Sequence, residues 1–439
     1  MFGIIISAKV LNINEKNFIL KKINNPSVSL GTLGNVSHGK TTFIKNLNPI
    51  YSYQNKSEID NKITIKLGYS NSKITKKKVL GFNNSLLKYE IHRDRSINDE
   101  SVVFDFSIVD CPGHEILAST LLTGVSIIDG SLLFISQEEW FPQSQSIEHL
   151  VALKNKNLMH IVIVLSKIDL LKINFFFYRY LFIKSFIEEV IYFKCIFIPF
   201  TEKVKTKRHF IFNNIINCFG NISRVLQFPP FFTVIRTFAL ISKTKNNNLI
   251  TRGIFGGSLI RGYLKKNQLI EIRPGTLKHK NTYPFLNKII GIKDFNLDIP
   301  EILPRGLIAI ETNISSSATN NDLLVGSVVG EIGTLPPVYR ALKIRFNIIK
   351  KNIKYNIRQT KKLMKTNAIE IGELVLLNIN SATTLGVVMN INFSSVSIYL
   401  NTPVCSFALA KVTVSKFIEQ KWRIIIWGSL EGGLKITPF

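Results

Sequence analysis

Cysteine is scarce in this sequence. Four cysteines occur among 439 residues, Cys111, Cys195, Cys218 and Cys405, and none belongs to a CxxC pair. Structural zinc sites need ligands at short, regular spacings, and disulfide frameworks belong mainly to small secreted domains that are rich in cysteine. The scarcity argues against a cysteine zinc site and a disulfide scaffold, and it favours a reducing compartment, which we expect to be the cytoplasm.

Long uncharged apolar runs are missing as well. The most apolar stretch, from Phe175 to Ile183, is interrupted by Arg179, whereas a membrane helix needs about 20 consecutive apolar residues. The first residues also lack an apolar core followed by a small-residue cleavage site, which would mark a signal peptide. We therefore expect no membrane span and no membrane partner.

Acidic residues are few. The chain has 29 of them against 56 lysines and arginines, so its net charge is +27. Such a surplus favours a polyanionic partner, and nucleic acid is the natural candidate. Mutational bias is the alternative, because the chain is rich in Lys, Asn and Ile, as an AT-rich genome would produce. Charge alone leaves both interpretations open.

One complete motif occurs at residues 34–41, which read Gly-Asn-Val-Ser-His-Gly-Lys-Thr and fit GxxxxGK(S/T). Its glycines let backbone N–H groups turn toward a phosphate chain, while Lys40 reaches the β and γ phosphates and Thr41 binds Mg²⁺. A predicted strand at residues 28–33 precedes the motif, and a predicted helix at 42–47 follows it. This order is the context that a phosphate-binding loop requires.

Three further elements indicate a GTPase. The string Asp110-Cys111-Pro112-Gly113 ends a predicted strand, where the carboxylate can hold a Mg²⁺-bound water and the Gly113 N–H can bond the γ phosphate. The string Ser166-Lys167-Ile168-Asp169 ends another and is similar to the guanine-reading motif NKxD. Thr64 suits the switch threonine that meets Mg²⁺ and the γ phosphate. Each string alone is weak, but their order at strand ends, where α/β proteins bind ligands, is specific.

His114 is the candidate catalytic residue, because it follows Gly113 directly and an imidazole beside the γ phosphate can orient the attacking water. His38 is given no catalytic role. The predicted nucleotide-binding residues are Asn35, Val36, Ser37, His38, Gly39, Lys40, Thr41, Thr42, Gly113, Ser166, Lys167 and Asp169. The predicted Mg²⁺ site comprises Thr41, Thr64 and, through water, Asp110.

Residues 26–228 alternate strand-like and helical patterns, which predicts a parallel sheet covered by helices. Strands are predicted at 104–110, 131–136, 161–165 and 195–200, and helices at 114–125, 143–156 and 175–190. Residues 229–336 and 337–439 show short β-rich runs that predict two β-barrels. Residues 1–25 form an N-terminal extension, and the polar residues 72–101 are expected to be an irregular exposed insertion. The predicted fold is thus an α/β P-loop GTPase domain followed by two β-barrel domains.

Taken together, these strings resemble the gamma subunit of archaeal and eukaryotic translation initiation factor 2, over residues 26–439. The strings that carry the resemblance are residues 63–69 (ITIKLGY), 109–117 (VDCPGHEIL), 142–150, 234–236, 255–258, 271–275, 401–405, Trp422-Arg423 and Trp427-Gly428. Elongation factor Tu shares the architecture and the string Asp110–His114. The ITIKLGY string and the two tryptophan pairs are similar to the initiation factor instead.

The resemblance implies binding of methionylated initiator tRNA in the GTP state and its delivery to the small ribosomal subunit. It implies alpha and beta sister subunits, with alpha on the second domain, together with GTPase-activating and exchange factors. It also implies GTP and GDP as ligands, and hydrolysis that is slow until an activating factor engages. Thr201 takes the place of the serine in the family's last guanine loop, and this correspondence makes it a further nucleotide-binding residue.

Four departures from the family pattern stand out. Ser166 replaces the usual asparagine, and Thr201-Glu202 replaces a Ser-Ala pair, so guanine binding is expected to be weaker. Residues 72–103 contain no cysteine, so no zinc site is expected there. Ser37 stands where relatives often have aspartate. The alternatives are therefore a scaffold that binds tRNA and sister subunits with weakened nucleotide control, or an elongation-type factor for another aminoacyl-tRNA.

Overall fold

The computed structural model describes the chain in a series of segments. They are residues 28–47, 67–80, 85–92, 102–114, 117–201, 208–220, 222, 226–243, 249–278, 281–294, 297–348, 369–418 and 420–436. The predicted extension 1–25, the predicted ligand Thr64 and Glu202 lie outside these segments. Within them, no helix combines the length and the apolar character that crossing a bilayer requires.

A seven-stranded sheet organises the N-terminal part of the described chain. Its strands are β1 Val28–Leu33, β2 Gly68–Leu80, β3 Ser85–His92, β4 Val102–Asp110, β5 Gly130–Ser136, β6 Ile161–Ser166 and β7 Ile196–Phe200. They lie in the order β3-β2-β4-β1-β5-β6-β7. Strands β4, β1, β5, β6 and β7 pair in parallel. Strands β2 and β3 extend the β4 edge of the sheet in antiparallel pairing.

Helices cover both faces of this sheet. They are α1 Lys40–Leu47, α2 Ala118–Ile127, α3 Ser144–Lys156, α4 Ile173–Ile191 and α5 Arg208–Phe219, the last of which the sequence did not predict. Alternate residues of β5 belong to two hydrophobic cores, one on each face of the sheet. Leu133 and Ile135 pack with α2, α3 and α4. Leu132 and Phe134 pack with α1 and α5. The residues that follow β1, β4, β5, β6 and β7 therefore converge at one edge of the sheet.

Two local predictions are wrong in this domain. The irregular insertion expected at 72–101 contains most of an antiparallel pair, β2 with β3, and Ile74 of β2 is fully buried. Its neighbours Ser72, Lys73 and Thr75 are polar but also buried, and their polarity in the sequence did not indicate this. The helix predicted from His114 begins instead at Ala118, because Gly113 packs against the Gly34 carbonyl and holds this segment at the phosphate loop.

The second domain is a closed β-barrel. Its strands are β8 Phe231–Lys243, β9 Leu249–Arg261, β10 Leu264–Lys265, β11 Leu269–Lys278, β12 Asn281–Asp294, β13 Leu297–Asp298, β14 Glu301–Ile302, β15 Arg305–Thr312 and β16 Val328–Gly330, with a short helix α6 Ser316–Thr319. The order is β11-β16-β8-β9-β15-β12, and β12 pairs back with β11 to close the ring. We call this domain barrel II.

The third domain, barrel III, is also closed. It consists of β17 Val338–Ile348, β18 Leu374–Ile379, β19 Ala382–Ile391, β20 Ser395–Cys405, β21 Lys411–Ile418 and β22 Lys421–Ile436, in the order β17-β20-β19-β18-β21-β22. Inward-facing Val, Ile and Leu fill it. The predicted fold class, an α/β GTPase domain followed by two barrels, is confirmed.

Barrel III docks on helices α2 and α3 of the first domain. Arg423 Nη1 donates to Glu148 Oε1 at 3.1 Å, and both side chains are largely buried. Asn155 Nδ2 donates to the Val412 carbonyl at 3.3 Å, and Asn378 Nδ2 donates to the Ser119 carbonyl at 3.4 Å. The two helices that flank the predicted nucleotide site therefore have polar contacts with barrel III.

Candidate functional site

The phosphate-loop motif forms a tight turn between β1 and α1. Positive φ values at Gly34 (141°), Ser37 (64°) and Gly39 (85°) produce it, and glycine adopts such backbone conformations without steric cost. A Cβ on Gly34 would also lie 2.6 Å from the Phe134 carbonyl oxygen. Val36, Thr41 and Thr42 are partly exposed along the same turn and Asn35 is buried, so the predicted loop residues lie together.

Lys40, the first residue of α1, is buried at the base of this loop. Its Nζ donates hydrogen bonds to the carbonyl oxygens of Gly34 (2.6 Å) and Asn35 (2.7 Å). Burial lowers the pKa of Lys40 to about 8, and the nearby charge of Asp110 opposes this shift. Lys40 is thus held as a positive charge within the loop, where a phosphate oxygen can accept from it.

Asp110 ends β4 next to the phosphate loop and is fully buried. Thr32 Oγ1 of β1 donates to Asp110 Oδ1 at 2.5 Å, which fixes the carboxylate. A Cβ on Gly113 would lie 2.6 Å from the Gly34 carbonyl oxygen and would collide with Lys40, so a larger residue does not fit there. His114 is partly buried and lines a small cavity that also touches α2 and α3.

The guanine-loop residues follow β6 and β7. Ser166 is buried, and its Oγ donates to the His38 carbonyl at 2.7 Å. Lys167 adopts φ 56°, and its Nζ lies 2.7 Å from Glu138 Oε2. Thr201 Oγ1 donates to Asp169 Oδ1 at 2.8 Å, which orients that carboxylate. The chain thus brings Ser166 to the phosphate loop and Thr201 to Asp169.

A polar cluster behind the phosphate loop was not predicted from the sequence. His38 Nδ1 lies 3.0 Å from the Phe134 carbonyl oxygen, and its Nε2 lies 3.1 Å from Glu139 Oε2. Gln143 Nε2 donates to the same carboxylate at 2.7 Å, and Gln143 Oε1 accepts from Asn35 Nδ2. Burial lowers the pKa of His38, although its contacts with the Phe134 carbonyl and the Glu139 carboxylate oppose that shift.

The start of α3 therefore supports the phosphate loop. Ser146 Oγ also approaches Asn35 Oδ1, at 3.5 Å. The string from Pro142 to His149 was visible in the sequence as a family feature. Its contacts were not, because the paired residues lie about 100 positions apart along the chain.

Comparison with known proteins agrees with this geometry. Residues 25–268 match the family described as elongation factor Tu GTP binding domain, and residues 340–430 match the family described as initiation factor eIF2 gamma, C terminal. The chain is 31% identical over 430 residues to eukaryotic translation initiation factor 2 subunit 3 of Drosophila melanogaster, covering 94% of this chain and 90% of that protein. The chain belongs to the eIF2 gamma family.

A second eIF2 gamma protein, the subunit gamma of Schizosaccharomyces pombe, is 32% identical over 426 residues, which cover 93% of this chain and 94% of that protein. The resemblance noted in the sequence is confirmed. As a member of this family with an elongation-factor-type GTP-binding domain, the chain is a translation initiation GTPase, and its ligands are GTP and GDP.

Solved structures share the fold at low identity. Translation elongation factor SelB of Methanococcus maripaludis, in complex with the GTP analogue GppNHp, superimposes with a TM-score of 0.67 at 17% identity, covering 94% of this chain and 80% of that one. Bacterial selenocysteine-specific elongation factor EF-Sec gives 0.68 at 16% identity, covering 92% and 58%. These likenesses concern the three-domain fold alone.

Proposed function

We propose that the protein carries methionylated initiator tRNA to the small ribosomal subunit in its GTP state and releases it when GTP is hydrolysed. The proposal makes it one subunit of a cytoplasmic heterotrimer with alpha and beta subunits, served by GTPase-activating and exchange factors. Family membership supports this role in general terms. The observation that carries it is a cleft between the first domain and barrel II.

The cleft opens where β2 meets barrel II. It has a volume of about 210 Å³ and is lined by Tyr69, Ser70, Ile235, Arg236, Phe238, Gly256, Gly257, Lys293, Leu307, Ile308 and Ala309. Apolar side chains such as Ile235 and Leu307 suit a methionyl group. Lys293 and Arg236, the latter paired with Asp322 at 3.2 Å, suit the phosphodiester that precedes the terminal nucleotide. We assign the aminoacyl end of the tRNA to this cleft.

The same cleft adjoins the start of β2, which follows the predicted switch threonine, Thr64, by four residues in the sequence. Tyr69 and Ser70 belong to β2, which pairs with the last residues of β4 up to Asp110. Movement of the strand start, at Gly68, toward a γ phosphate would change the cleft wall directly. This adjacency supports a tRNA affinity that depends on the bound nucleotide.

For the nucleotide itself, we propose that Lys40 neutralises the β and γ phosphates and that the Gly113 N–H bonds the γ phosphate. The donor set suits Mg²⁺, which prefers oxygen ligands, because Thr41 supplies a hydroxyl and the fixed Asp110 carboxylate supplies a contact through water. Bound Mg²⁺ would screen the phosphate charge. Thr64, outside the described residues, remains the proposed third contact.

His114 is proposed to orient the attacking water. It lies next to Gly113, and so its ring is within one residue of the proposed γ-phosphate contact. Asp169, oriented by Thr201, is proposed to accept hydrogen bonds from the guanine N1 and exocyclic amine, while Lys167 lies along the base.

An exposed apolar strip on α4 supports the proposed heterotrimer. Phe175, Phe177 and Tyr178 are 52%, 58% and 73% exposed, and Leu181 continues the strip one turn later. A contiguous exposed apolar surface of this kind marks a protein contact. Since the alpha subunit is expected on the second domain, we assign the strip to the beta subunit. Tyr178→Asp should weaken beta binding in a pull-down, whereas Tyr263→Asp on barrel II, where Tyr263 is 51% exposed, should not.

The cleft assignment is tested with two matched charge reversals on strand β12. Lys293 lines the cleft, whereas Lys288, five residues earlier on β12, is exposed outside it. Lys293→Glu should weaken binding of methionylated initiator tRNA with a GTP analogue by tenfold or more, and Lys288→Glu by less than threefold. Equal losses would mean a general charge effect and would refute the cleft assignment. GTP affinity should be unchanged in both variants.

A further inference from the structure

One buried histidine of the first domain, His149, makes none of the nucleotide contacts proposed above. His149 lies on α3, and 5% of its surface is exposed. Its Nδ1 is buried and has no hydrogen-bond partner among the described residues. A buried polar atom without a partner is costly, so its retention in a folded protein needs an explanation.

His149 lines the same small cavity as His114. Its walls come from the segment Pro112–His114, from α2, from Gln145, Glu148 and His149 of α3, and from Ile424 of barrel III. His149 and His114 therefore line one cavity, beside the segment proposed to contact the γ phosphate.

Helix α3 holds His149 rigidly. The preceding residue, Glu148, pairs with Arg423 of barrel III at 3.1 Å. One turn earlier, Ser146 Oγ approaches Asn35 of the phosphate loop. These two contacts hold α3 in place. The ring of His149 can therefore serve as a fixed hydrogen-bond partner for the ring of His114.

The ring of His149 is also uncharged. Burial lowers its pKa to about 3, and the charges of Lys40 and His38 act in the same direction. A neutral imidazole carries one acceptor nitrogen and one N–H donor. It can therefore hydrogen-bond a second imidazole without placing another positive charge beside Lys40.

We propose that His149 is a positioning residue for GTP hydrolysis, whose Nδ1 hydrogen-bonds the ring of His114 when that ring turns toward the γ phosphate. The bond would fix the orientation and the tautomer of His114, as a third group does for the base in other hydrolytic sites. The inference rests on the proposed water-orienting role of His114.

The test compares variants of the full chain in single-turnover release of phosphate from GTP. His149→Leu removes the hydrogen-bonding atoms, and His149→Asn keeps an amide near the position of Nδ1. His160→Leu is the matched control, because His160 is in the same domain but does not line the cavity, and its Nδ1 lies 2.8 Å from the Cys218 carbonyl oxygen. Affinities for GTP and GDP and thermal unfolding are measured in parallel.

His149→Leu should slow hydrolysis roughly 10–100-fold while leaving both affinities within threefold and the unfolding temperature unchanged or higher. His149→Asn should recover most of the rate, and His160→Leu should lower the unfolding temperature without a comparable loss of rate. In a His114→Ala background, His149→Leu should cause no additional loss.

Three results would overturn the inference: an unchanged rate in His149→Leu, equal losses in His149→Leu and His149→Asn, or additive losses with His114→Ala. If His114→Ala alone keeps the wild-type rate, the water-orienting role of His114 is refuted, and the positioning role of His149 is refuted as well. If His114→Ala is slow and His149→Leu is not, the role of His149 alone is refuted.

Discussion

The Ser166 hydroxyl donates a hydrogen bond of 2.7 Å to the backbone carbonyl of His38. This bond joins the guanine loop to the phosphate loop across 128 residues of sequence. Ser166 stands where the family usually has asparagine, and the serine preserves a tie between the two loops. The departure from NKxD therefore leaves the two loops of the nucleotide site connected.

Removing that tie should weaken the binding of both nucleotides. Ser166→Ala loses one buried neutral hydrogen bond, worth about 0.5–1.5 kcal/mol, so GTP and GDP affinities should fall about 2–10-fold. The control is Ser185→Ala, which removes an exposed hydroxyl on α4. Fluorescent-nucleotide titration measures both variants, and an unchanged Ser166→Ala would show that the bond does not support the site.

Lys40 should be essential for GTP binding. Its Nζ is the cation buried within the phosphate loop, so Lys40→Ala should abolish useful affinity for GTP while circular dichroism shows an intact fold. Lys45→Ala, on the exposed side of the same helix, should bind GTP normally. GTP affinity equal to wild type in Lys40→Ala would refute the assignment of the nucleotide site.

Asp169 should set the base preference. Asp169→Asn replaces an acceptor-only carboxylate by an amide that also donates, so preference should move from guanine toward xanthine nucleotides. The amide oxygen can still accept from Thr201 Oγ1, which now lies 2.8 Å from Asp169 Oδ1, so the loop should keep its shape. Competition binding between GTP and XTP measures the base preference of the variant. A variant that prefers GTP as strongly as wild type would rule out guanine reading by Asp169.

His149 should make the fold sensitive to acid. Its folded-state pKa of about 3 is below the usual histidine value of 6.5, so the unfolded chain takes up a proton that the folded chain does not. The resulting loss of stability begins below pH 6.5 and approaches about 1.4 kcal/mol per pH unit for this one group. His149→Leu should therefore lose less stability than wild type between pH 6.5 and 5. The free energy of unfolding of both proteins is measured across this pH range. Equal losses in His149→Leu and wild type would contradict the prediction.

The sequence predicted the parts of the site that are local. Strand β1, the phosphate loop and the start of α1 are contiguous, and their chemistry can be read from spacing alone. Strand β6, predicted at 161–165, is observed at Ile161–Ser166 because its apolar run is continuous and fully buried. The order of elements along the chain was sufficient for the fold class.

The parts that depend on distant contacts were not predicted. Glu139 and Gln143 support His38 and Asn35 across about 100 residues, and a sequence pattern does not carry such a pairing. The partner of Ser166 was hidden for the same reason. The β2–β3 pair was missed because the sequence of residues 70–78 is largely polar. Helix α5 was missed because residues 208–219 mix Phe and Ile with Asn rather than showing a clear stripe.

The central claim, nucleotide-dependent carriage of initiator tRNA, is tested most directly by one titration. Methionylated initiator tRNA is titrated with the full chain at several salt concentrations, with a GTP analogue and with GDP. Affinity should fall steeply with salt in both states, because each neutralised phosphate releases counterions, and it should be markedly higher with the GTP analogue at every concentration. Equal affinity in the two nucleotide states would contradict the account, leaving the +27 charge as general attraction to RNA.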